Sequence, residues 1–340
     1  MKNMRVRTAA GFALLAAACL CMLLLNVNTG SMTLPAEEVL RILVHGDDAS
    51  PAASVIWKIR LPRVLAAAVL GGALSVSGFL LQAFFRNPIA GPYVLGISSG
   101  SKLFVCVTMV SLLQHRASVP FWGMMASAFA GAMLVTGLVL LLAGHVRNMA
   151  SLLVVGIMIG SICSAVTDFF ITFADEANVA NLHAWSMGSF SAVSWPSLTA
   201  VTVVIALAVL AAFFLSKPIY ACQMGENYAR SMGVNVKAFR VALIFLSSLL
   251  SACVTALSGP ISFVGVAVPH MARRLFGTAR PMVIIPGAFL MGSALCMGCD
   301  LIARTAFSPS ELAISTVTAL FGAPVVIGLM AARQRRREDG

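Results

Sequence analysis

Charged residues are scarce in this sequence, and their scarcity excludes several kinds of protein. Only 10% of its 340 residues are Asp, Glu, Lys or Arg, whereas 59% are hydrophobic. Soluble globular domains carry about 25% charged residues, so a cytosolic enzyme, a disordered tail and a nucleic-acid-binding domain are excluded. The composition predicts an all-α, polytopic membrane protein without an attached soluble domain.

Motifs for catalysis and nucleotide binding are also missing. The sequence has no G-x-x-x-x-G-K-[ST] phosphate-binding loop and no H-E-x-x-H zinc motif, and no G-x-S-x-G stretch stands out as a catalytic centre. The five histidines are scattered, and Cys296-Met-Gly-Cys299 lacks a second pair that would complete a metal site. We therefore expect no catalytic residue, no metal site and no cofactor bound by this chain.

Apolar runs separated by helix breakers predict about ten transmembrane helices. Their expected bounds, in chain order, are 8–28, 64–85, 92–113, 121–143, 150–173, 197–216, 241–257, 261–272, 282–303 and 312–331. The eighth is too short to cross a bilayer alone, so we expect it to be broken or tilted against its neighbours. The first follows Lys2, Arg5 and Arg7 like a signal peptide, but no small-x-small cleavage site follows it, which favours an uncleaved helix.

Basic residues are distributed unequally between alternate loops. If the N-terminus is inside, sixteen Lys and Arg residues fall on the inner side and six on the outer side. The positive-inside rule then places both termini in the cytoplasm of a multi-pass protein, with membrane lipid around its spans. We expect the bacterial inner membrane.

Ionisable residues inside predicted spans are functional candidates, because a charge in hydrocarbon is costly. Asp168 either faces a water-filled cavity as a plain polar residue or belongs to a transport pathway. Asp300 and Arg304 are four residues apart, which predicts a local ion pair. A secondary transporter that uses Asp168 and Asp300 is one rival hypothesis, and a structural membrane protein without transport is another.

The longest inner loop, about 217–240, predicts local order. Its sequence indicates two short helices broken at Gly233, with Glu226, Ala229 and Arg230 on an exposed face. A docking element for a soluble partner needs such helical order, whereas a plain connecting loop does not.

Several motifs in chain order resemble one family, the permease subunits of ABC importers for iron–siderophore complexes, haem and cobalamin. They are Arg60-Leu-Pro-Arg63, the stretch 72–96, Ala229-Arg-Ser-Met-Gly233 (A-x-x-L-G with Met for Leu), the stretch 263–273, Asp300-Leu-Ile-Ala-Arg304 and Gly322-Ala-Pro324. The resemblance implies the type II importer fold, with residues 1–340 as a single transmembrane permease domain.

The resemblance also implies partners and a substrate class. A second copy of the chain, two cytoplasmic ABC ATPase subunits and a periplasmic or lipid-anchored substrate-binding protein complete the importer. ATP is used by the ATPase subunits, so this chain is not itself an enzyme. The expected cargo is an iron(III)–siderophore, with haem or cobalamin as alternatives.

The resemblance assigns residues to three groups. The ATPase-coupling residues are Glu226, Ala229, Arg230, Gly233 and Val234. The residues that face outward and dock the binding protein are Arg60, Arg63 and Arg304, although Arg60 and Arg63 could instead anchor a helix end at the lipid headgroups. The motif residues are Gln82, Asn87, Pro88, Pro269 and His270. Independently of the resemblance, the pathway candidates are Asp168 and the pair Gly156 and Gly160, because Gly156-x-x-x-Gly160 is expected to allow close helix approach.

Three positions depart from the family pattern. Gly91 stands where the family has an acidic residue, Glu311 is followed by Leu-Ala-Ile-Ser instead of x-Pro-x-Gly, and Thr278-Ala-Arg280 replaces Asp-His-Arg. These positions bear on loop shape, and the sequence identifies neither the chelate nor the gating residues.

Overall fold

The computed structural model describes residues 2–30, 35–45, 50–113, 121–143, 149–308 and 310–338. Within these ranges the chain is almost entirely helical and contains no β-strand. The loops that carry Arg116 and Arg147, two of the basic residues counted for the topology, lie outside the described residues.

Fifteen α-helices make up the described chain. They are α1 (Lys2–Asn28), α2 (Ala36–His45), α3 (Pro51–Val55), α4 (Leu61–Phe85), α5 (Ile97–Leu113), α6 (Phe121–Ala143), α7 (Met149–Thr172), α8 (Glu176–Met187), α9 (Trp195–Phe214), α10 (Ser216–Met224), α11 (Glu226–Ser231), α12 (Val236–Ser258), α13 (Val264–Phe276), α14 (Pro281–Thr305) and α15 (Ile314–Glu338). A π-helical turn, Ile56–Arg60, makes α3 and α4 continuous, and a 3₁₀ turn, Pro92–Leu95, leads into α5.

The predicted polytopic all-α fold is confirmed. Seven helices are long and apolar enough to cross a membrane, namely α1, the continuous α3–α4, α6, α7, α9, α12 and α14. Shorter apolar helices occupy 97–110 and 314–328. Helix α13 has 13 residues and is only about 20 Å long, which agrees with the expectation for the eighth span. Every predicted span coincides with a helix, but the number ten is approximate, because α5, α13 and the apolar part of α15 are shorter than the seven candidate spans of the described residues.

Two helices lie where the sequence analysis predicted only outer loops. Helix α2 directs Val39 and Ile42 inward while Glu37 and Arg41 stay exposed. Helix α8 carries both buried and exposed side chains on a sequence that mixes apolar and polar residues. A search for long apolar runs does not detect such helices.

Helices α4, α12 and α14 form the buried centre of the described chain, and α1, α6, α7 and α9 surround them with largely exposed apolar faces. The centre depends on small residues. A Cβ atom on Gly78 of α4 would overlap the Gly265 carbonyl of α13, so only glycine permits this helix contact. Close approach through small residues is typical of helix packing in membranes, where burial from water does not drive association.

Candidate functional site

The arginine cluster comprises Arg60, Arg63, Asp300, Arg304 and Glu311, at the start of α4, the end of α14 and the turn before α15. Arg63 is its centre. Its Nε donates to both Asp300 carboxylate oxygens at 3.1 Å, and its Nη2 donates to Asp300 Oδ1 at 2.9 Å. Its Nη1 and Nη2 donate to Oε1 and Oε2 of Glu311 at 2.9 and 3.1 Å. One guanidinium therefore joins the turn before α15 to both α4 and α14.

The other two arginines cap the end of α1. Arg60 Nη1 donates to the carbonyls of Val27 and Asn28 at 2.8 and 3.2 Å. Arg304 Nη2 donates to the Asn26 carbonyl at 2.6 Å and to its side-chain oxygen at 2.8 Å. The last carbonyls of a helix lack partners within it and carry partial negative charge, so cationic donors stabilise them.

The expectation that these three arginines are exposed is wrong. Arg60 and Arg63 are 4% and 8% exposed, and the side chain of Arg304 is 8% exposed. The physical reason is that the α1 carbonyls and two carboxylates of the same chain surround the guanidinium groups. The predicted role of the three residues in docking a binding protein stays a prediction.

The predicted local pair between Asp300 and Arg304 is only a long contact, with 3.9 Å between Arg304 Nε and Asp300 Oδ2. The main partner of Asp300 is Arg63, which lies 237 positions earlier in the chain. The spacing of four residues thus identified a neighbour of Asp300 but missed the residue that neutralises its charge.

The proline of Arg60-Leu-Pro-Arg63 explains the π-helical turn that precedes the cluster. The Leu61 N–H donates to the carbonyl five residues back, and Pro62, the next residue, has no N–H to offer. The Trp57 carbonyl therefore accepts a hydrogen bond neither from the Leu61 N–H nor from Pro62. The indole Nε1 of Trp195 supplies one at 2.7 Å, so this proline ties α9 to the start of α4.

Four of the predicted motif residues hold α4 and the turn after it against α13. Gln82 Nε2 donates to the Val266 carbonyl at 3.0 Å, and Gln82 Oε1 accepts from Arg273 Nη1 at 3.0 Å. His270 Nε2 lies 2.9 Å from the Pro88 carbonyl, and since a carbonyl only accepts, the ring nitrogen is the donor. Pro269 is buried within α13. These contacts fix a helix junction.

Asn87 has a local role in the same turn, because its Oδ1 accepts from the Ile89 N–H at 3.2 Å. Such a bond is the usual way in which asparagine stabilises a tight turn. The structure therefore places Asn87 and its Pro88 neighbour in the connection between α4 and α5.

Asp168 lies in an open groove between α7 and the start of α5, with a volume of about 530 Å³. Hydroxyl and small side chains line much of the rest, among them Ser99, Ser161 and Ser164. Gly156 and Gly160 pack closely against the turn that ends at Gly96. The glycine pair therefore brings α7 against the entry to α5 and forms one wall of the groove.

The segment 217–240, here called the coupling segment, folds as α10, α11 and the first turn of α12. The helix break predicted at Gly233 is present, since Gly233, with φ of +81°, lies between the end of α11 and the start of α12. Its N–H donates to the Arg230 carbonyl and that of Val234 to the Ala229 carbonyl, both at 3.0 Å. A second break, which was not predicted, separates α10 from α11 at Gly225, where φ is +142°. Both glycines adopt backbone angles that side chains disfavour.

Ala229 is completely buried, so its predicted exposure is wrong. Beside it, Glu226 accepts from Arg230 through Oε1 and from Arg240 through Oε2, both at 2.9 Å. The carboxylate links α11 to α12, while the guanidinium of Arg230 stays largely exposed. Glu226 and Ala229 thus hold the shape of the segment, and Arg230 is accessible.

The sequence analysis missed an exposed set of large side chains on the coupling segment. Tyr220, Met224, Tyr228 and Met232, here called the Tyr–Met stripe, are all exposed. They recur at every fourth residue of a polar segment, and that spacing was the signal available in the sequence. Aromatic residues and methionine are enriched in protein interfaces.

Helix α4 connects the two sites. The arginine cluster lies at its start, and at its end Arg86 Nη2 donates to the Cys222 carbonyl of α10 at 2.9 Å. Its 25 residues span about 37 Å. The cluster and the coupling segment therefore lie at opposite ends of one buried helix.

Comparison with known proteins follows this geometry. The profile of the FecCD transport family matches residues 17–332. Over 324 residues the chain is 34% identical to the hemin transport system permease protein HmuU of Yersinia pestis, covering 94% of this chain and 96% of that protein. Over 276 residues it is 36% identical to the vitamin B12 import system permease protein BtuC of Klebsiella pneumoniae subsp. pneumoniae, covering 81% and 82% of the two chains.

A solved structure agrees with the sequence comparison. It shows an ABC transporter assigned to the metal-chelate type in an inward-facing conformation. It superposes with a TM-score of 0.82 at 28% identity and covers 96% of this chain and 99% of that chain. From the match over residues 17–332 and these relatives, we conclude that the chain belongs to the FecCD transport family.

Proposed function

We propose that this chain is the permease subunit of an ATP-driven ABC importer that carries a metal chelate across the bacterial inner membrane. Membership of the FecCD transport family and the hemin and vitamin B12 permeases among its relatives support this proposal. We propose an iron(III)–siderophore as cargo, with haem and cobalamin as alternatives. ATP hydrolysis then belongs to a separate subunit, because permease subunits of this family are not enzymes.

The observation that carries the proposal is the ordered and exposed coupling segment. An ATPase subunit would bind the Tyr–Met stripe and Arg230, while Glu226, Ala229, Gly233 and Val234 keep the turn in shape. Two contacts connect this surface to the buried centre, from Arg86 to Cys222 and from Arg240 to Glu226. ATP-driven movement of the docked subunit would thus reach α4 and α12 directly.

The groove along α7 is our candidate for the translocation pathway. Its volume of about 530 Å³ falls in the range of small-molecule sites, and a second copy of the chain facing it would enclose a larger space. We propose that the exposed apolar residues of α7, such as Ile162 and Phe169, face the second copy in this homodimer. We propose that Gly156, Gly160 and Asp168 belong to the pathway, and that Gln82, Asn87, Pro88, Pro269 and His270 maintain its frame.

The arginine cluster is our candidate for the docking surface of a substrate-binding protein. Three guanidinium groups, of Arg60, Arg63 and Arg304, outnumber two carboxylates, so the net positive charge of the cluster attracts an acidic partner, although the guanidinium groups themselves are largely buried. With the cluster outside and the coupling segment inside, both termini are cytoplasmic. We propose residues 1–340 as one permease domain.

The rival of an ion-coupled carrier is weakened by the arginine cluster. Asp300, one of its two proposed carboxylates, is 1% exposed and bonded by Arg63. Both of its oxygens already accept hydrogen bonds from the Arg63 guanidinium, so the carboxylate is held in a structural ion pair within the chain. Asp168 alone would have to carry the coupling.

Co-purification with the ATPase subunit tests the proposal. The chain is co-expressed with the ATPase encoded nearest to it and reconstituted in lipid nanodiscs, as wild type and as Tyr228→Asp with Met232→Asp. Both substituted side chains are exposed, so the fold should tolerate them. Ala279→Asp, on the exposed turn between α13 and α14, is the control for added negative charge.

The proposal predicts that the wild type and the control retain the ATPase in equal amounts and hydrolyse ATP. The double variant should lose both the associated subunit and the activity. An ATPase that never associates, or that binds the double variant as well as the wild type, would contradict the proposed coupling.

A further inference from the structure

The two carboxylates bound to Arg63 differ sharply in exposure. The Asp300 side chain is 2% exposed and lies between α4 and α14, whereas that of Glu311 is 46% exposed. Each carboxylate occupies its own edge of the guanidinium, Asp300 on the Nε and Nη2 edge and Glu311 on the Nη1 and Nη2 edge. The edge bonded to Glu311 is therefore the one that solvent and a partner protein approach.

We propose that Glu311 is an exchangeable counter-ion of Arg63. A carboxylate of the docking binding protein replaces Glu311 on the Nη1 and Nη2 edge, and the turn before α15 is released from α4. This inference rests on the proposed function, because it takes the arginine cluster as the docking surface. It makes Glu311 a residue that tunes docking, through the guanidinium it occupies.

The geometry of the exchange is favourable. A carboxylate arriving at this edge forms the same two charge-assisted hydrogen bonds that Glu311 forms, at the same planar fork. Asp300 stays in place, so the buried part of Arg63 is neutralised throughout. When Glu311 leaves, the local excess of guanidinium groups over carboxylates rises from one to two, which favours an acidic partner.

The exchange also has a structural consequence inside this chain. Glu311 lies three residues before α15. Near it, the Leu312 N–H donates to the Ala303 carbonyl at 2.8 Å, and Ser315 Oγ donates to the Met187 carbonyl of α8 at 2.6 Å. Removal of the ion pair leaves the start of α15 held by these weaker neutral bonds. Docking at the cluster would then loosen α15 next to α8.

Binding kinetics test the inference. The complex of this chain with its ATPase is immobilised in nanodiscs, and the binding protein encoded beside it is titrated at three NaCl concentrations. The variants are Glu311→Gln, which removes the charge, and Glu311→Asp, which keeps it. Glu176→Gln, an exposed carboxylate at the start of α8, is the matched control for one lost negative charge.

We expect Glu311→Gln to bind the partner about five-fold tighter than the wild type, with faster association and a steeper salt dependence. Glu311→Asp should bind like the wild type, and Glu176→Gln should change affinity less than two-fold. Thermal unfolding of each variant, followed by tryptophan fluorescence, verifies that the compared complexes are folded.

Two results would overturn the exchange. Glu311→Gln could bind no tighter than Glu176→Gln, which would make Glu311 purely structural, or it could bind more weakly, which would make it part of the docking contact. Failure of the binding protein to bind the wild type, or of the ATPase to associate, would instead contradict the proposed function, so the two failures are distinguishable.

Discussion

The two ends of α4 use charge in opposite ways. At its start the arginine cluster buries three guanidinium groups and pairs them within the chain. At its end the coupling segment keeps Arg230 largely exposed and Arg240 partly buried, and it presents Tyr228 and Met232 to solvent. The start of α4 therefore uses charge to hold helices together. At the other end, ion pairs keep the coupling segment in shape, and its exposed side chains are largely apolar.

This difference predicts two distinct responses to substitution. A buried charge that loses its partner destabilises the fold, because the remaining ion is not hydrated. An exposed aromatic or methionine side chain contributes little to folding but a large share of partner binding. Changes in the cluster should thus alter stability first, and changes in the Tyr–Met stripe should alter association first.

The largest effect is expected from Asp300→Asn. The substitution preserves shape but leaves Arg63 and Arg304 without their buried counter-charge, which should cost about 3–5 kcal/mol of unfolding free energy. Thermal unfolding and the yield of monodisperse protein measure it. Asp175→Asn, at the exposed turn before α8, is the control, and a loss no greater than that of the control would remove the basis of the comparison.

Tyr228→Ala should show the opposite pattern. The unfolding temperature stays at the wild-type value because the side chain is exposed. Affinity for the ATPase subunit falls about 30-fold, as expected when an interface anchor worth about 2 kcal/mol is removed. The measurement is a titration of the ATPase against nanodisc-held permease. Lower stability with unchanged affinity would reverse the assignment of this end.

Trp195→Phe tests the hydrogen bond from the Trp195 indole to the Trp57 carbonyl, a carbonyl that Pro62 leaves without a backbone donor. The phenyl ring fills most of the same space but donates no hydrogen bond to the Trp57 carbonyl, so about 1 kcal/mol of stability should be lost. Chemical unfolding in mild detergent measures the difference. Trp122→Phe, at a largely exposed position of α6, should leave stability unchanged, and equal losses in the two variants would argue against the contact.

Glu226→Gln should cost less than about 1 kcal/mol, although it removes two ion pairs of the coupling segment. Its partners Arg230 and Arg240 are largely and partly exposed, and ion pairs that water and salt can reach contribute little because they are screened. Unfolding measurements at low and high NaCl detect the small difference at low salt. A loss as large as that of Asp300→Asn would mean that the two ends do not differ in kind.

Glu311 is the exposed member of the arginine cluster and should give the smallest effect, one that depends on pH. The hydrogen bonds from Arg63 lower the pKa of Glu311 below its ordinary value of 4.5. At a pH above the ordinary pKa, the ionised Glu311 therefore stabilises the fold. This contribution to the unfolding free energy is lost as the pH falls through the lowered pKa.

The wild type should therefore exceed Glu311→Gln in unfolding free energy at pH 7, by less than about 1 kcal/mol. The difference should shrink as the pH falls below 4.5 and should disappear once the pH lies below the lowered pKa of Glu311. Unfolding temperatures of both proteins across this range measure it. A difference that persists undiminished in acid would show that the carboxylate charge is not its cause.

Local patterns allowed much of the fold to be predicted. The transmembrane helices follow from apolar runs, and the helical order of the coupling segment follows from its composition. Helix α8 lacked such a run because polar residues interrupt its apolar ones. The break at Gly233 was predicted, whereas the break at Gly225 was missed because it depends on a backbone geometry that the neighbouring sequence does not specify.

The contacts of the arginine cluster could not be predicted from local sequence, because the bonded residues lie far apart in the chain. Arg304 bonds a residue 278 positions away, and Arg63 bonds carboxylates more than 230 positions away. A motif of arginines near a span end indicates where charge lies, but burial and pairing depend on which helix ends meet. The prediction that these arginines are exposed was wrong because the sequence does not show which helix ends meet.

The source of energy for transport decides most directly between the importer and an ion-coupled carrier. The permease and its ATPase are reconstituted in proteoliposomes, and the binding protein is added on the side from which the chelate is taken up. A ferric hydroxamate, hemin or cyanocobalamin is then supplied on that side. We predict accumulation of one of these chelates that requires ATP and survives an ionophore. Accumulation by the permease alone, without the ATPase, that collapses when the ionophore is added would contradict the importer and establish ion coupling instead.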